Sequence, residues 1–367
     1  MHLQPMEAAR LAVETMMRRY EAPLLPPVGR FHYHQGVFLS GVYQTYLLTG
    51  DERYFRYMRD WVDSVVDENG RILHFDRGQM DDLQPGILLY PLRARTDDPR
   101  YETALRTIGE TFLSYPRNRV GGFWHKSDDR CRDQMWLDGL YMGGPVCAEF
   151  GKTFDRPEYF DLVAEQAILM EKHTRDPKTG LLYHAWDAEK RMPWANPETG
   201  LSPEFWGRSI GWVGVAILDD LDFIPAEHPK AEEMRNIVRR LMKAIAPYQG
   251  ADGRWYQVVD KPDGEGNWPE NSCTCLFVYS IAKGVRQGYI ARDAYKAARR
   301  AYDRVIETLL PAPEGEFSMG NVCVGTCIEE GTYDYYIHRD TIENDLHGMG
   351  AFLLMASEMA KLEEAAN

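Results

Sequence analysis

The sequence predicts an all-α protein, an (α/α)6 toroid in which six helical hairpins close into an inner and an outer ring. Three observations carry this. Apolar residues recur at three- and four-residue steps through most of the 367 residues, the period of amphipathic helices. One-sided helices alternate with helices made more continuously of apolar or small residues. The links between them alternate as well, short after one kind and long after the other, so that one helix–loop–helix unit repeats.

The one-sided helices show as stripes. Met6, Ala9, Val13, Met16 and Tyr20 form the first, and Tyr54, Met58, Trp61 and Val65 the second. Leu105, Ile108 and Phe112 follow, then Phe160, Val163, Ala167 and Met170. The last two run through Met234, Ile237, Leu241 and Ile245, and through Ala298, Tyr302, Val305 and Leu309. Between them lie the apolar helices, roughly 35–48, 82–95, 136–150, 204–223, 271–288 and 345–362. That gives twelve helices, and no strand run of any length competes with them. In the short links Asp51, Asp98 and Asp155 stand where an N-cap belongs, and Pro99 and Pro157 suit first helical positions. The long links share a pattern of Gly followed by apolar and aromatic residues: Gly70-Arg-Ile-Leu-His-Phe75, Gly122-Phe-Trp-His125, Gly180-Leu-Leu-Tyr-His184 and Gly253-Arg-Trp-Tyr256. No Pro/Ser-rich linker interrupts the repeat, so residues 1–367 are expected to form one domain.

Composition narrows the function. A net charge of −14 argues against a nucleic-acid surface. No run of 18 apolar residues suggests a membrane span. The N-terminal stretch Met1–Arg10 lacks the basic and apolar regions of a signal peptide. The six Cys, at 131, 147, 273, 275, 323 and 327, show no paired CxxC spacing. They read as reduced thiols of a cytoplasmic protein. Nine Trp and 21 Tyr suit stacking on sugar rings and equally suit a core.

The chain centres on Trp136-Leu-Asp-Gly-Leu-Tyr-Met-Gly-Gly-Pro145. Asp138 sits there in apolar company near a helix start. It is an N-cap, a paired buried group or an acid whose proton is retained by burial, as a general acid needs. In a toroid the six long loops and the inner-helix starts converge on one rim. They carry Tyr33, His34, Asp81, Asp82, His125, Lys126, Trp136 and Asp138. The later loops add His184, Trp186, Asp187, Trp206, Arg208, Trp212, Tyr256, Gln257, Tyr335, Tyr336, Asp345 and His347. Singly, a loop histidine is more often structural, two Trp on one helix are more often core, and an Arg often serves a surface pair. Together they would line one cup, the usual form of a binding site.

At these residues the chain resembles the unsaturated rhamnogalacturonyl hydrolases, glycoside hydrolase family 105. The resemblance rests on Trp136–Pro145, His184-Ala-Trp-Asp187 and Trp206-Gly-Arg-Ser-Ile-Gly-Trp212. Trp255–Asp260, Phe277–Gly284, Tyr335-Tyr336 and Glu343–Gly348 add to it. It implies an (α/α)6 barrel and removal of a 4,5-unsaturated uronic acid from the non-reducing end of lyase-generated oligosaccharides. It also implies a mechanism in which an acid protonates C4, water adds at C5, and the hemiketal opens to release the sugar. By match to the motif the acid is Asp138. The second carboxylate falls on Met80-Asp-Asp-Leu-Gln-Pro-Gly86, where the spacing favours Asp81 and leaves Asp82 open. Tyr33, His125, Lys126, Trp136, Met142, His184, Trp206, Arg208 and Trp212 are the expected substrate-binding residues. Arg208 would grip the carboxylate bidentately, and Tyr33 and the three Trp would stack on the sugars. No cofactor is implied. No metal site is read from the spacing of His and Asp, and the chemistry needs no Lewis acid. Unsaturated glucuronyl hydrolases of glycosaminoglycan breakdown share the barrel and the acid chemistry, but would want more basic residues for sulfate. An epimerase would need paired histidines, for which His184 and His347 are candidates. A peptide- or lipid-binding scaffold would not need an acid inside an aromatic pocket.

Overall fold

The computed structural model describes residues 3–365; the first two residues of the N-terminal stretch and the last two of the chain lie outside it. Six helices form an outer layer: α1 (Pro5–Arg19), α3 (Glu52–Val65), α5 (Pro99–Ser114), α7 (Glu158–Thr174), α9 (Ala231–Ile245) and α11 (Tyr295–Thr308). Six form the inner ring: α2 (Tyr33–Thr49), α4 (Leu89–Arg95), α6 (Asp138–Thr153), α8 (Gly207–Asp220), α10 (Asn271–Arg286) and α13 (Leu346–Glu364). The 3-10 turn Gln84–Leu88 extends α4 at its start. Neighbouring inner helices pack in sequence, and α13 returns to α2, so the ring is closed. The expected twelve helices are present. A thirteenth, α12 (Tyr333–Ile337), is one short turn in the last loop. Among the described residues strands are limited to two small two-stranded sheets. β1 (Gln134–Trp136) pairs antiparallel with β2 (Ala185–Asp187), and β3 (Leu310–Pro311) with β4 (Phe317–Ser318).

The small residues of the inner helices are there for close approach. A Cβ on Gly350 would lie 2.6 Å from the Val37 backbone, and one on Gly41 would lie 2.4 Å from Leu353 Cβ. The α2–α13 seam therefore closes only with glycine on both sides. The repeated loop motif is a short hairpin after an outer helix, with bridges Val66↔Ile72, Arg117↔Phe123 and Arg175↔Leu182. An Asx side chain holds each turn: Asp67 accepts from the Asn69 and Arg71 N–H groups, Asn118 from Val120 and Gly122, and Asp176 from Thr179.

Of the predicted caps, Asp51 accepts from Arg53 N–H and Asp98 from Arg100 N–H, with Pro99 opening α5. Asp155 differs. It takes a left-handed conformation (φ 52°) in the turn, and Pro157 is the residue before the first helical position of α7. At the end of the ring away from the long loops, the inner helices leave a cavity of about 330 Å³. In its lining Lys283 pairs with Asp219 and Asp222 at 2.6 Å each, while burial raises Glu149 to about 8. No helix among the described residues is long and apolar enough to cross a membrane.

Candidate active site

The long loops and inner-helix starts meet at the opposite end. Asp138 is the first residue of α6, and no hydrogen bond ties its carboxylate to the helix backbone; the N-cap position belongs to Leu137. Its partner is a ring nitrogen, His184 Nε2, 3.2 Å from Oδ2. His184 follows the hairpin after α7 and is fully buried. Its Nδ1 lies 2.6 Å from the Tyr336 hydroxyl. Burial, and the Tyr335 and Asp138 charges beside it, push the Tyr336 phenol well above 10, so it keeps its proton. One assignment satisfies all three groups: Tyr336 O–H donates to Nδ1, and Nε2–H donates to Asp138 Oδ2. Asp138 Oδ1 is left to face the cup.

Asp81 comes from the 3-10 turn Met80–Asp82, which the Gly78–Ser127 and Met80–His125 backbone bonds tie to the next loop. Three bases surround it: His125 Nε2 at 3.4 Å, Lys126 Nζ at 3.7 Å and His32 Nε2 at 4.0 Å. Burial alone would raise the Asp81 carboxyl, but these neighbours outweigh it and hold the group well below the usual carboxylate range. Asp82 points the other way. It accepts from the Asp76 N–H and from Gln79 Nε2 at 3.0 Å each, and its burial raises it to about 6. Of the pair, Asp81 faces the cup and Asp82 ties down its own loop.

Tyr33 opens α2 between these groups. Burial lifts its phenol, and Arg208, Asp81, Asp345 and Asp138 all act on it electrostatically. Above it hangs the loop between α11 and α13. A Cβ on Gly325 would sit 3.5 Å from the Tyr33 hydroxyl. The backbone of Cys323 pins this loop: its N–H donates to Glu270 and its carbonyl accepts from Arg208 Nη1 and His347 Nε2.

The structure departs from expectation at the aromatic residues and at Arg208. Trp212 is 1% exposed and stacks on Tyr141 inside the main core. Met142, one turn past Asp138, is also core. Trp206 is closed by the Arg208 guanidinium at 4.6 Å, by His184 and by Tyr336, and its indole N–H donates to Gln257. Trp136 carries His125 stacked at 4.4 Å. None of the three indoles offers a free face to a sugar. Arg208 spends its fork on the Cys323 and Val324 carbonyls at 2.6 Å each, so it clasps the roof loop in place of the predicted two-pronged grip. One partner went unread in the sequence, His32 beside Asp81; Tyr336, expected on the rim, stands behind His184.

A cluster with the residue types to hold a metal ion is present as well. His34, Asp345 and His347 place one ligand atom each within 4.8 Å of one another. Spacing gave no sign of it, because His34 opens the ring and Asp345 and His347 close it.

A helical toroid whose loops gather two carboxylates, imidazoles and a lysine at one end of the ring defines a glycosidase-like protein. The model of Glycosyl Hydrolase Family 88 matches residues 8–363, and the chain belongs to that family. The structure superposes with a TM-score of 0.91 on a family 105 glycoside hydrolase of C. acetobutylicum, 32% identical over 96% of this chain and 99% of that one. This bears out the family 105 resemblance. The unsaturated rhamnogalacturonyl hydrolase YesR of Bacillus subtilis is 24% identical over 82% of this chain and 81% of its own length. An unsaturated glucuronyl hydrolase specific for heparin, 16% identical with a TM-score of 0.73, shares the fold, with 98% of each chain covered.

Proposed function

We propose that residues 1–367 form one catalytic domain that releases a 4,5-unsaturated uronic acid from the non-reducing end of lyase-generated oligosaccharides, most directly unsaturated galacturonyl-rhamnose. The observation that carries the reading is Asp138, which has a ring partner and no helix-capping bond. In the proposed reaction Asp138 Oδ1 gives a proton to C4 of the conjugated enol ether. Water adds to C5, giving its proton back to the same carboxylate, and the hemiketal opens and expels the aglycone. The Nε2–H of His184 holds Oδ2 throughout and steadies the carboxylate whenever it is ionised. Lys126 would receive the uronate, with the His125 and His32 rings beside it for the hydroxyls and Asp81 keeping those groups in place. Arg208 acts by holding the roof loop over Tyr33.

Rhamnose as aglycone is supported by the motifs and by the similarity to the Bacillus subtilis enzyme. The test is a panel of unsaturated disaccharides from pectin, ulvan and heparin lyases, followed by loss of the ultraviolet absorbance of the double bond. The pectin-derived substrate should give the highest kcat/KM. Preference for a sulfated heparin product would replace the aglycone, and no turnover of any member would remove the reading.

A further inference from the structure

The wall of the cup nearest the ring closure has a second constellation that the proposed reaction does not use. His347 is fully buried, and its Nε2 lies 3.0 Å from the Cys323 carbonyl. A carbonyl only accepts, so Nε2 carries the ring proton, and a neutral ring then presents Nδ1 as a bare lone pair. That atom is buried and has no hydrogen-bond partner. Asp345 Oδ1 is 2.7 Å away but off the line along which an N–H would point, and it already accepts the His347 backbone N–H as the cap of α13.

His34 approaches from α2. Its Nδ1 is 3.0 Å from His32 Nδ1, and its Nε2 is 4.0 Å from Asp345 Oδ1. Two imidazoles thus have their far nitrogens held by outer partners while their near nitrogens and one carboxylate turn to a common point. This is how metal-ligating histidines are supported. His34 and Asp345 are partly exposed, so an ion has a way in from the cup.

We propose that His34 Nε2, Asp345 Oδ1 and His347 Nδ1 form a binding site for a divalent cation of the zinc class. Two nitrogens and one oxygen suit zinc and its transition-metal neighbours; calcium and magnesium prefer oxygen alone. Ligand distances near 2.1 Å place the donors of a tetrahedral site about 3.4 Å apart, so on binding the His34 ring would swing inward from 4.0 Å and the 2.7 Å Asp345–His347 pair would open. The fourth position would face the cup. The site lies beyond the proposed reaction, and its test reads binding alone.

The full chain, stripped with a chelator, is titrated with zinc by calorimetry and then loaded with cobalt(II) for spectroscopy. One zinc per chain is expected, with Tm raised by the metal. Binding should weaken at least tenfold in Asp345→Asn, where Asn still caps α13, and in His34→Gln. Each variant is first shown to have the wild-type Tm without metal; a variant that does not is replaced by His34→Ala. The cobalt spectrum should lack a thiolate band. Absence of binding, binding unchanged in the variants, or a thiolate band that moves the ion to Cys131 and Cys327 would each overturn the proposal.

Discussion

The two carboxylates that face the cup have opposite surroundings. Asp81 is ringed by three bases within 4.0 Å and is held far into its ionised form. Asp138 has one partner, a histidine whose proton a buried tyrosine fixes, and its other oxygen is free. Like residues in one site are thus divided by environment: one is a permanent charge that orders its neighbours, the other is held at one oxygen by a single ring nitrogen. Three substitutions probe that division.

The largest effect is expected from Asp138→Asn. Asn keeps the shape and loses the proton, so kcat should fall by about 10²–10⁴-fold, the range of lost acid–base catalysis. Steady-state kinetics on an unsaturated disaccharide, beside a melting curve, checks this. Asn is an acceptable cap, so an active, stable variant would return Asp138 to a structural role.

The second contrasts Asp81 with its neighbour. Burial raises Asp82 to about 6 in the fold from its ordinary value of 3.8. A raised folded value gives stability that is complete below pH 3.8 and is lost as pH rises through 6. Asp81, lowered, works in the other sense: its contribution is present above the unfolded value and is lost on acidification. Asp82→Asn should therefore gain on wild type between pH 4 and 7, on the order of 2 kcal/mol, with kcat nearly unchanged. Thermal unfolding across that range is the check. A large kcat loss would move the working carboxylate from Asp81 to Asp82.

The smallest is Tyr336→Phe. Losing the O–H that fixes the His184 tautomer should cost about 1–1.5 kcal/mol, roughly tenfold in kcat with KM little changed. An equal loss in KM would mean that Tyr336 meets the substrate directly.

The ring was legible because helix periodicity is local: stripes such as Tyr54–Val65 state which face is buried without reference to the rest of the chain. The inner helices carry no such label. Trp206 and Trp212 lie on a helix buried on nearly every side, so six-residue spacing could not say that both indoles are enclosed. Asp138 was found through its neighbours in sequence. The groups that define its chemistry, His184 and Tyr336, are 152 residues apart and meet only when the ring closes. Arg208 was read correctly as a cation at the cup but not as a clasp, since its acceptors are backbone carbonyls, which no side-chain motif records.

The central claim is that a double bond is hydrated and no anomeric bond is displaced. Turnover of an unsaturated disaccharide in oxygen-labelled water, read early by carbon NMR before the product exchanges, addresses it directly. Hydration places the label on C5 of the released uronic acid and leaves C1 unlabelled. Label on C1, delivered by attack at the anomeric carbon, would contradict the account.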